Sequence, residues 1–198
     1  MLYPPLLIST TNRLTMTFET LSTKRLLLQA LTPANIKSVF EDHPKEEIKK
    51  ILGHTSEEDY QKEEYKYKNG YSSYNRSFKM FLLTDKASGA VIGRCGIHNW
   101  NAEHSRAEIG YVMHDEQFKR KGLMSEAVEA VIDHGFNELN LNRLDAMVGP
   151  ANIPSLRLME KFNFVQEGIL RQHYWTDGEF EDSVLFSKLR GEYMDERA

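Results

Sequence analysis

The spacing of apolar residues changes along the chain, and each change predicts an element of secondary structure. In Gly122–Leu139, apolar side chains recur every three or four residues, which is the period of one helix face. In Ala107–His114, just before it, apolar and other residues alternate instead, which is typical of a strand. This strand is predicted to place Ala107, Ile109, Tyr111 and Met113 on one face, and Glu108, Gly110 and Val112 on the other.

Similar patterns divide most of the remaining chain into strands and helices. Further strands are predicted at Arg25–Leu31, Phe78–Thr84, Val91–Ile97, Arg143–Val148, Phe164–Arg171 and Phe180–Lys188. Helices are predicted at Pro33–Phe40, at Ile153–Phe162, and at one or two segments of Pro44–Lys68 that break near Gly53–Thr55. Turn-forming residues at Asp85–Gly89 and at Asp177-Gly178 predict two hairpins. The order of elements indicates a mixed sheet flanked by helices, an α+β arrangement.

Length and composition favour one globular domain. The chain has 198 residues, of which 40% are hydrophobic and 27% charged, so a single core can form. Residues 1–20 lack sustained periodicity and are predicted to be a loosely ordered extension, within which Met16 is an alternative start. We therefore place one domain at residues 21–198.

Charge and cysteine content exclude several classes of partner. The net charge is -4, so the chain has no general basic field of the kind that binds nucleic acid. No apolar run approaches the roughly 20 residues that span a bilayer, and the start does not resemble a signal peptide. We expect a cytoplasmic protein without a nucleic-acid or membrane partner. Cys95, the single cysteine, is expected in the core, with a reactive thiol as the alternative.

The residues with the clearest chemical potential lie between the predicted strand and the helix that follows it. Gln117-Phe118-Lys119-Arg120-Lys121-Gly122 places three cations and a glycine where backbone N–H groups and the helix dipole converge. That arrangement suits a pyrophosphate, although a basic loop before a helix can also be a solvated cap. On its own, the segment predicts an anion site at a helix N-terminus.

Several spaced motifs resemble the GNAT acetyltransferases, in particular their RimJ/RimL-type branch. The first runs from Glu108-Ile109-Gly110-Tyr111-Val112-Met113 through Gln117–Gly122 to Leu123-Met124-Ser125-Glu126-Ala127. The second comprises Asn152-Ile153-Pro154-Ser155, Glu160-Lys161-Phe162-Asn163-Phe164 and Glu167-Gly168. The resemblance covers about Leu21 to Tyr193. It implies the GNAT fold, with a mostly antiparallel sheet of about six to seven strands, and N-acetyltransferase activity.

The resemblance also implies acetyl-CoA as cosubstrate and assigns residues to it. The pantetheine arm would pair with strand backbone near Val112 and Met113, which would also steady the oxyanion, and Asn152 would hydrogen-bond that arm. The pyrophosphate would lie on the turn, and Ser155 would lie near the thioester sulfur. The full predicted cofactor set is Val112, Met113, Gln117, Phe118, Lys119, Arg120, Lys121, Gly122, Leu123, Asn152 and Ser155.

Two positions depart from the family pattern. Arg120 stands where the family usually has glycine, and a Cβ there costs energy if the turn needs a positive φ. Met159 stands where many members have a tyrosine that protonates the leaving thiolate. Ser155 is our substitute acid, with a helix-capping role as the alternative. A thiol pKa of about 8.5 makes the thiolate a tolerable leaving group even without an acid.

The acceptor must be a neutral amine, and Glu108 is the candidate base, directly or through water, with a plain surface carboxylate as the alternative. An N-terminal α-amine, with a pKa of about 8, asks less of a base than lysine does. We therefore expect a peptide or protein N-terminus, with a small polyamine or aminoglycoside as the alternative. The resemblance also suggests that a loop pair, His173-Tyr174-Trp175 and Asp177–Asp182, helps to wall the acceptor site, where Glu179, Glu181 and Asp182 could attract a cation. Core packing and a solvated turn are the alternatives for this pair.

Other functional classes fit less well. His98 and His104 flank Asn99-Trp100-Asn101, but their spacing matches no strong metal pattern, so no metal is expected. A non-catalytic module that binds acyl-CoA is the alternative from another class, because Arg120 and Met159 both depart from the catalytic pattern. The oligomeric state is left open between monomer and homodimer.

Overall fold

A computed structural model describes residues 18–70 and 77–197. Its elements follow the order predicted from the hydrophobic pattern. The strands are β1 (Thr20–Ser22), β2 (Leu26–Leu31), β3 (Ser77–Asp85), β4 (Val91–Asn101), β5 (Arg106–Met113), β6 (Arg143–Val148), β7 (Val165–Thr176) and β8 (Glu179–Leu189). The helices are α1 (Pro33–Asp42), α2 (Lys45–Leu52), α3 (Glu57–Asn69), α4 (Leu123–Asn137), α5 (Ile153–Lys161) and α6 (Arg190–Asp195).

All eight strands form one sheet in the order β1-β2-β3-β4-β5-β6-β8-β7. Every neighbouring pair is antiparallel except β5 and β6, which are parallel. The predicted mixed, mostly antiparallel sheet is therefore confirmed, with one strand more than expected. The added strand is β1, whose three residues are too few to show a period and which falls at the edge of the predicted extension. Residues 1–17 of that extension lie outside the described residues.

The two faces of the sheet are covered by different helices. On one face, α4 packs on strands β2 to β6 and encloses the larger core, which includes Phe81, Cys95 and Phe136. On the other face, α1, α2 and α3 pack on β2 and β3 through a smaller core around Val39 and Leu52. Cys95 is fully buried, as expected, and burial raises the pKa of its thiol. The reactive-thiol alternative has no structural support.

Local sequence explains where the helices begin and end. Thr32 and Ser56 cap α1 and α3, and each side chain accepts a hydrogen bond from the backbone N–H three residues later. Gly53, with φ of 68°, ends α2, so the predicted break in Pro44–Lys68 is confirmed. None of the helices in the described ranges is long and apolar enough to cross a membrane.

The sequence missed two features near the C-terminus. The β7–β8 hairpin is longer than predicted, because its outer part pairs Tyr174 with Glu181 and Trp175 with Phe180 although neither strand has a buried face there. The short helix α6 buries only Tyr193, which stacks on Phe136. Neither feature has the regular spacing of apolar residues from which the other strands and helices are predicted.

Candidate active site

The sheet opens between its two parallel strands. Strand β5 pairs with β6 only at Arg106, Ala107 and Glu108, opposite residues 143–145. Beyond Glu108, β6 stays paired with β8, and β5 stays paired with β4 as far as Met113. The edge of β5 from Ile109 to Met113 therefore faces a gap in the sheet, where a ligand can pair with strand backbone.

The hydrogen-bond alternation determines which backbone groups face the gap. The His114 N–H donates to the Ile92 carbonyl at 2.9 Å. Because facing residues of antiparallel strands bond alternately, the N–H of Val112 also points to β4, whereas those of Tyr111 and Met113 point into the gap. Of the two strand residues predicted to contact the cofactor, Met113 thus offers its backbone to the gap and Val112 does not. Tyr111 is the second donor, which the sequence did not single out.

The first half of the predicted anion loop satisfies its own amides. The Gln117 N–H donates to the Asp115 carboxylate at 2.9 Å, and the Phe118 and Lys119 N–H groups donate to the carbonyls of Asp115 and Glu116, both at 3.1 Å. The Lys119 ammonium also pairs with Glu116. Backbone donors from Gln117 to Lys119 are therefore already used, which narrows the set predicted to hold a pyrophosphate.

The second half of the loop leaves its amides open. In the part of the chain that the structure describes, no protein acceptor pairs with the N–H groups of Arg120, Lys121 and Gly122. Both Arg120 and Gly122 lie in the left-handed region, at φ of 59° and 73°, and Gly122 is the N-cap of α4. The strain predicted at Arg120 is thus confirmed. Consecutive N–H groups in this geometry are of the kind that can bind an anion at the N-terminus of Leu123–Asn137.

A half-buried carboxylate from α4, that of Glu126, ties this turn to the segment before β2. Glu126 accepts hydrogen bonds from the Thr23 hydroxyl at 2.5 Å, and from the backbone N–H and Nε of Arg25, both at 2.7 Å. Arg25 Nη1 also donates to the carbonyl of Lys121 at 2.9 Å. Burial alone would raise the pKa of Glu126, but these hydrogen bonds and the guanidinium charge outweigh burial and lower it. The cluster holds the turn in its left-handed geometry.

The start of α5 places Ser155 beside the far side of the gap. Asn152 caps the helix, since its Oδ1 accepts from the Ser155 N–H at 3.2 Å, which leaves its Nδ2 as the donor for a ligand. The capping role considered for Ser155 thus belongs to Asn152. The side chain of Ser155 hydrogen-bonds Tyr111, whose pKa is raised by burial despite this contact. Met159 is fully buried in the core, and its thioether has no proton to donate, so Met159 cannot be the acid that protonates the thiolate.

Glu108 occupies the point where β5 and β6 separate. It is 6% exposed, its Oε2 accepts from Asn99 Nδ2 at 2.9 Å, and its Oε1 lies 3.5 Å from His98 Nε2. The alternative of a plain surface carboxylate is therefore excluded by burial. Because side chains alternate along a strand, Glu108 and Tyr111 project from opposite faces of β5. The two candidate catalytic residues, Glu108 and Ser155, flank the gap from its two sides.

The β7–β8 hairpin carries the other predicted residues. Trp175 and Phe180 are 63% and 61% exposed and pack edge to face. Burial and the Glu108 carboxylate both raise the pKa of the Tyr174 phenol. The acidic residues Glu179, Glu181 and Asp182 are exposed, and Asp182 accepts from the Gln172 N–H at 2.7 Å. The hairpin thus combines exposed aromatic and acidic groups beside the gap.

Across the described ranges, no group of three or more histidine, cysteine or acidic side chains is arranged to hold a metal ion. His98 faces Glu108, whereas His104 lies exposed in the next turn. Sequence reasoning missed the contributions of Thr23, Arg25, Asn99, Tyr111 and Glu126. Of these residues, only Asn99 could have been suspected from the local sequence, because a polar residue that interrupts a strand can mark a bulge. The bulge in β4 directs the Asn99 side-chain amide onto Glu108.

Comparison with known families places this geometry in one class of enzyme. Residues 25–165 match the acetyltransferase (GNAT) domain. The match covers the opened sheet, the anion turn and the start of α5. The chain belongs to the GNAT acetyltransferases, enzymes that use acetyl-CoA, and it is an N-acetyltransferase.

Individual relatives agree on this activity. The uncharacterised N-acetyltransferase YoaA of Bacillus subtilis is 29% identical over 171 residues, which cover 86% of this chain and 96% of YoaA. The uncharacterised N-acetyltransferase p20 of Bacillus licheniformis is 42% identical over 113 residues, 57% of this chain and 63% of p20.

Relatives with named acceptors differ from one another. YdaF of Bacillus subtilis, provisionally named a ribosomal N-acetyltransferase, is 32% identical over 55% of this chain and 59% of its own. The spermidine N(1)-acetyltransferase of Escherichia coli is 25% identical over 62% of this chain and 64% of its own. The spermidine/spermine N-acetyltransferase SpeG of Vibrio cholerae, solved with manganese ions, has a TM-score of 0.65 at 20% identity over 88% of this chain and 98% of SpeG, which shows a shared fold.

Proposed function

We propose that this enzyme transfers the acetyl group of acetyl-CoA to the N-terminal α-amine of a peptide or protein, by direct attack in a ternary complex. One observation carries the proposal: a buried carboxylate, Glu108, lies where the sheet opens, and an anion turn and Ser155 lie across the gap. That arrangement supplies a base, a pyrophosphate site and a proton donor around one opening.

The cofactor would enter the gap along the free edge of β5. Its pantetheine amides would pair with the backbone of Tyr111 and Met113 and with Asn152, and its pyrophosphate would lie on the N–H groups of Arg120–Gly122. The positive end of the α4 dipole favours that charge. The thioester carbonyl would then accept a hydrogen bond from the Tyr111 N–H, the open amide nearer Glu108, which would stabilise negative charge on the oxygen during attack.

We assign one proton transfer to each side of the gap. The amine would approach from the Glu108 side, where the carboxylate, directly or through one water, accepts its proton as the nitrogen attacks the carbonyl carbon. The C–S bond then breaks, and the thiolate takes the proton of Ser155 or of solvent. Tyr111 would hold the Ser155 hydroxyl in position for this step. No covalent enzyme intermediate is needed.

The hairpin supports a peptide acceptor. Trp175 and Phe180 expose a broad aromatic surface next to Tyr174, which suits contacts with the side chains that follow an N-terminal residue. The α-amine pKa of about 8 leaves a useful neutral fraction near pH 7, so a single carboxylate suffices as base. The likeness to YdaF agrees with this acceptor class.

A polyamine is the second candidate, and the acidic side chains of the hairpin favour it. Glu179, Glu181 and Asp182 are exposed on one strand and can attract a multiply charged cation. The likeness to a spermidine N-acetyltransferase agrees with this alternative. Both candidates use the same cofactor site and differ only in what the hairpin contacts.

A panel of acceptors separates the two. Purified enzyme with acetyl-CoA and a thiol reagent would be assayed with peptides that begin with Ala or Ser, the same peptides with blocked N-termini, and spermidine. We expect turnover of the free peptides and none of the blocked ones. If the kcat/KM for spermidine exceeds that for every peptide, the acceptor is a polyamine and not a peptide N-terminus. Binding of acetyl-CoA without turnover of any amine would contradict the proposal.

A further inference from the structure

A buried base must release the proton it takes before it can act again. Glu108 is 6% exposed, so solvent has little direct access to its carboxylate. Its Oε2 is occupied by the Asn99 amide at 2.9 Å, and an amide donates a hydrogen bond but does not accept a proton. Because the Asn99 amide covers one side of Oε2, Oε1 is the more open oxygen from which the proton can leave.

His98 is the group that faces Oε1. It lies directly opposite Glu108 in the β4–β5 ladder, and its Nε2 is 3.5 Å from Oε1. Its side chain is 37% exposed, whereas that of Glu108 is 8% exposed, so the imidazole connects the buried carboxylate to solvent. Imidazole is also the side chain whose ordinary pKa suits proton exchange near neutral pH.

The surrounding backbone keeps the imidazole in this place. A Cβ on Gly110 would lie 2.8 Å from His98 Nε2, so a larger residue there would displace the ring from its place beside β5. A bulge begins after His98, and Asn99 takes a φ of 49°, which turns its amide toward Glu108. A left-handed asparagine beside a bulge is the kind of local strain that structures retain at functional positions.

We propose that His98 is the proton outlet of Glu108, and that Asn99 is a positioning residue that holds the carboxylate for both partners. The inference rests on the proposed role of Glu108 as base. In each turnover the amine nitrogen forms the C–N bond and gives its proton to Glu108. The Oε1 proton then passes to Nε2 of neutral His98, and the imidazolium gives a proton to solvent or buffer and returns to the tautomer protonated on Nδ1, so that Nε2 can accept again. Among the described residues, Asp145 lies opposite Glu108 in the β5–β6 ladder, and the Glu108 carboxylate raises the pKa of Tyr174, so both are titratable neighbours of this pair.

The order of these steps gives a signature that a structural role does not produce. Without His98, Glu108 can still accept one proton, so the first turnover proceeds at the normal rate. Later turnovers wait for Glu108 to lose that proton. Rapid-quench measurement of His98→Ala and His98→Gln should therefore show a burst of one acetylated product per site. The steady-state rate that follows should be lower by roughly tenfold to a hundredfold.

Chemical rescue tests the same step independently. Imidazole at increasing concentration should restore the steady-state rate of His98→Ala at constant pH and leave the wild-type rate unchanged. His104→Ala, which removes an exposed histidine from the next turn, is the matched control and should behave as wild type. Acetyl-CoA affinity and the thermal midpoint of each variant verify that it is folded.

The outcomes separate this inference from the proposed base. If Glu108→Gln loses turnover but His98→Ala and His98→Gln show no burst and no buffer dependence, the outlet is contradicted and the base stands. If Glu108→Gln keeps full turnover, both are contradicted. A burst with imidazole rescue in the His98 variants supports the outlet.

Discussion

The two sides of the opened sheet are built in opposite ways. On the cofactor side, Glu126 ties the anion turn to Arg25 and Thr23, and the open amides of Arg120 to Gly122 converge on one point. On the proposed acceptor side, the β7–β8 hairpin exposes Trp175 and Phe180. Hydrogen bonds and an ion pair thus fix the proposed cofactor side, whereas the proposed acceptor side consists of exposed side chains on a hairpin.

This difference explains why the sequence and fold identify the reaction, N-acetyl transfer, more directly than they identify the acceptor amine. A pyrophosphate needs a fixed set of amides at a helix N-terminus, so the requirement appears as a local motif and as a braced turn. An amine acceptor needs a surface, and one fold can carry many such surfaces. The relatives show the same division, because they share N-acetyl transfer and differ in their named acceptors.

The largest expected effect belongs to Glu108, which lies between the two sides. Glu108→Gln should lower kcat by roughly 10²- to 10⁴-fold, the usual contribution of a general base, and should leave acetyl-CoA affinity nearly unchanged. The rate of the variant should also lose the pH dependence that the carboxylate imposes. Steady-state kinetics over a range of pH check this, with Glu103→Gln on the exposed turn as control. A retained kcat would remove Glu108 from the mechanism.

The brace of the cofactor side should respond next. Glu126→Gln removes a charge that is only 17% exposed and bonded to Arg25, which should raise the KM for acetyl-CoA by about fivefold to tenfold. The KM for the amine should not change, because among the described residues no hydrogen bond or ion pair joins the hairpin to this cluster. Glu129→Gln, one turn further on an exposed position of α4, is the matched control. Equal changes in both KM values would show that the two sides are not independent.

The same cluster predicts a pH dependence of stability. The pKa of Glu126 is lowered in the folded protein from an ordinary value of 4.5, so its contribution is full above that value and is lost as the pH falls through the lower, folded one. Below pH 4.5, wild type should therefore lose more stability than Glu126→Gln does. Denaturant unfolding between pH 6 and pH 3 measures the difference. Parallel curves for the two proteins would contradict the brace.

Changes in the hairpin should affect only the acceptor. Replacing Trp175 and Phe180 by serine should raise the KM for a peptide acceptor by about fivefold to tenfold, as expected for the loss of aromatic contacts, and leave the KM for acetyl-CoA unchanged. Replacing Glu179, Glu181 and Asp182 by their amides should raise the KM for spermidine more than the KM for a peptide with uncharged side chains. Unchanged acceptor KM values in both variants would exclude the hairpin from the acceptor site.

The smallest effect concerns Arg120. Its φ of 59° costs a residue with a Cβ about 1 kcal/mol, so Arg120→Gly should raise the thermal midpoint by roughly 2–4 °C while the loss of one cation weakens acetyl-CoA binding slightly. Arg120→Lys retains both the strain and the charge and should match wild type. Calorimetric scans and cofactor titrations report the two effects separately. A lower midpoint for the glycine variant would mean that the arginine side chain makes a stabilising contact.

Most of the fold could be predicted from the sequence because its apolar residues have clear periods. The break at Gly53, the helix after Gly122 and the order of seven strands all follow from that pattern. β1, α6 and the outer hairpin could not be predicted, since three residues show no period and exposed strands have no apolar face.

The candidate site divides along the same line. Glu108, Ser155 and Arg120 could be found because they belong to contiguous motifs. Arg25 and Glu126 are separated by about a hundred residues, and only the packing of β2 beside α4 brings them together. Likewise, the choice of Met113 over Val112 depends on hydrogen-bond alternation with β4, which the residue types do not reveal.

One titration tests the central claim most directly. Backbone amide signals of isotope-labelled protein would be followed by NMR as acetyl-CoA is added without acceptor. We predict large shifts for Tyr111, Met113 and residues 120–123, and small ones for residues 117–119 and the hairpin tip at 174–181. Large shifts at the hairpin tip, with the amides of 120–123 unmoved, would contradict the assignment of the cofactor to the opened edge of β5.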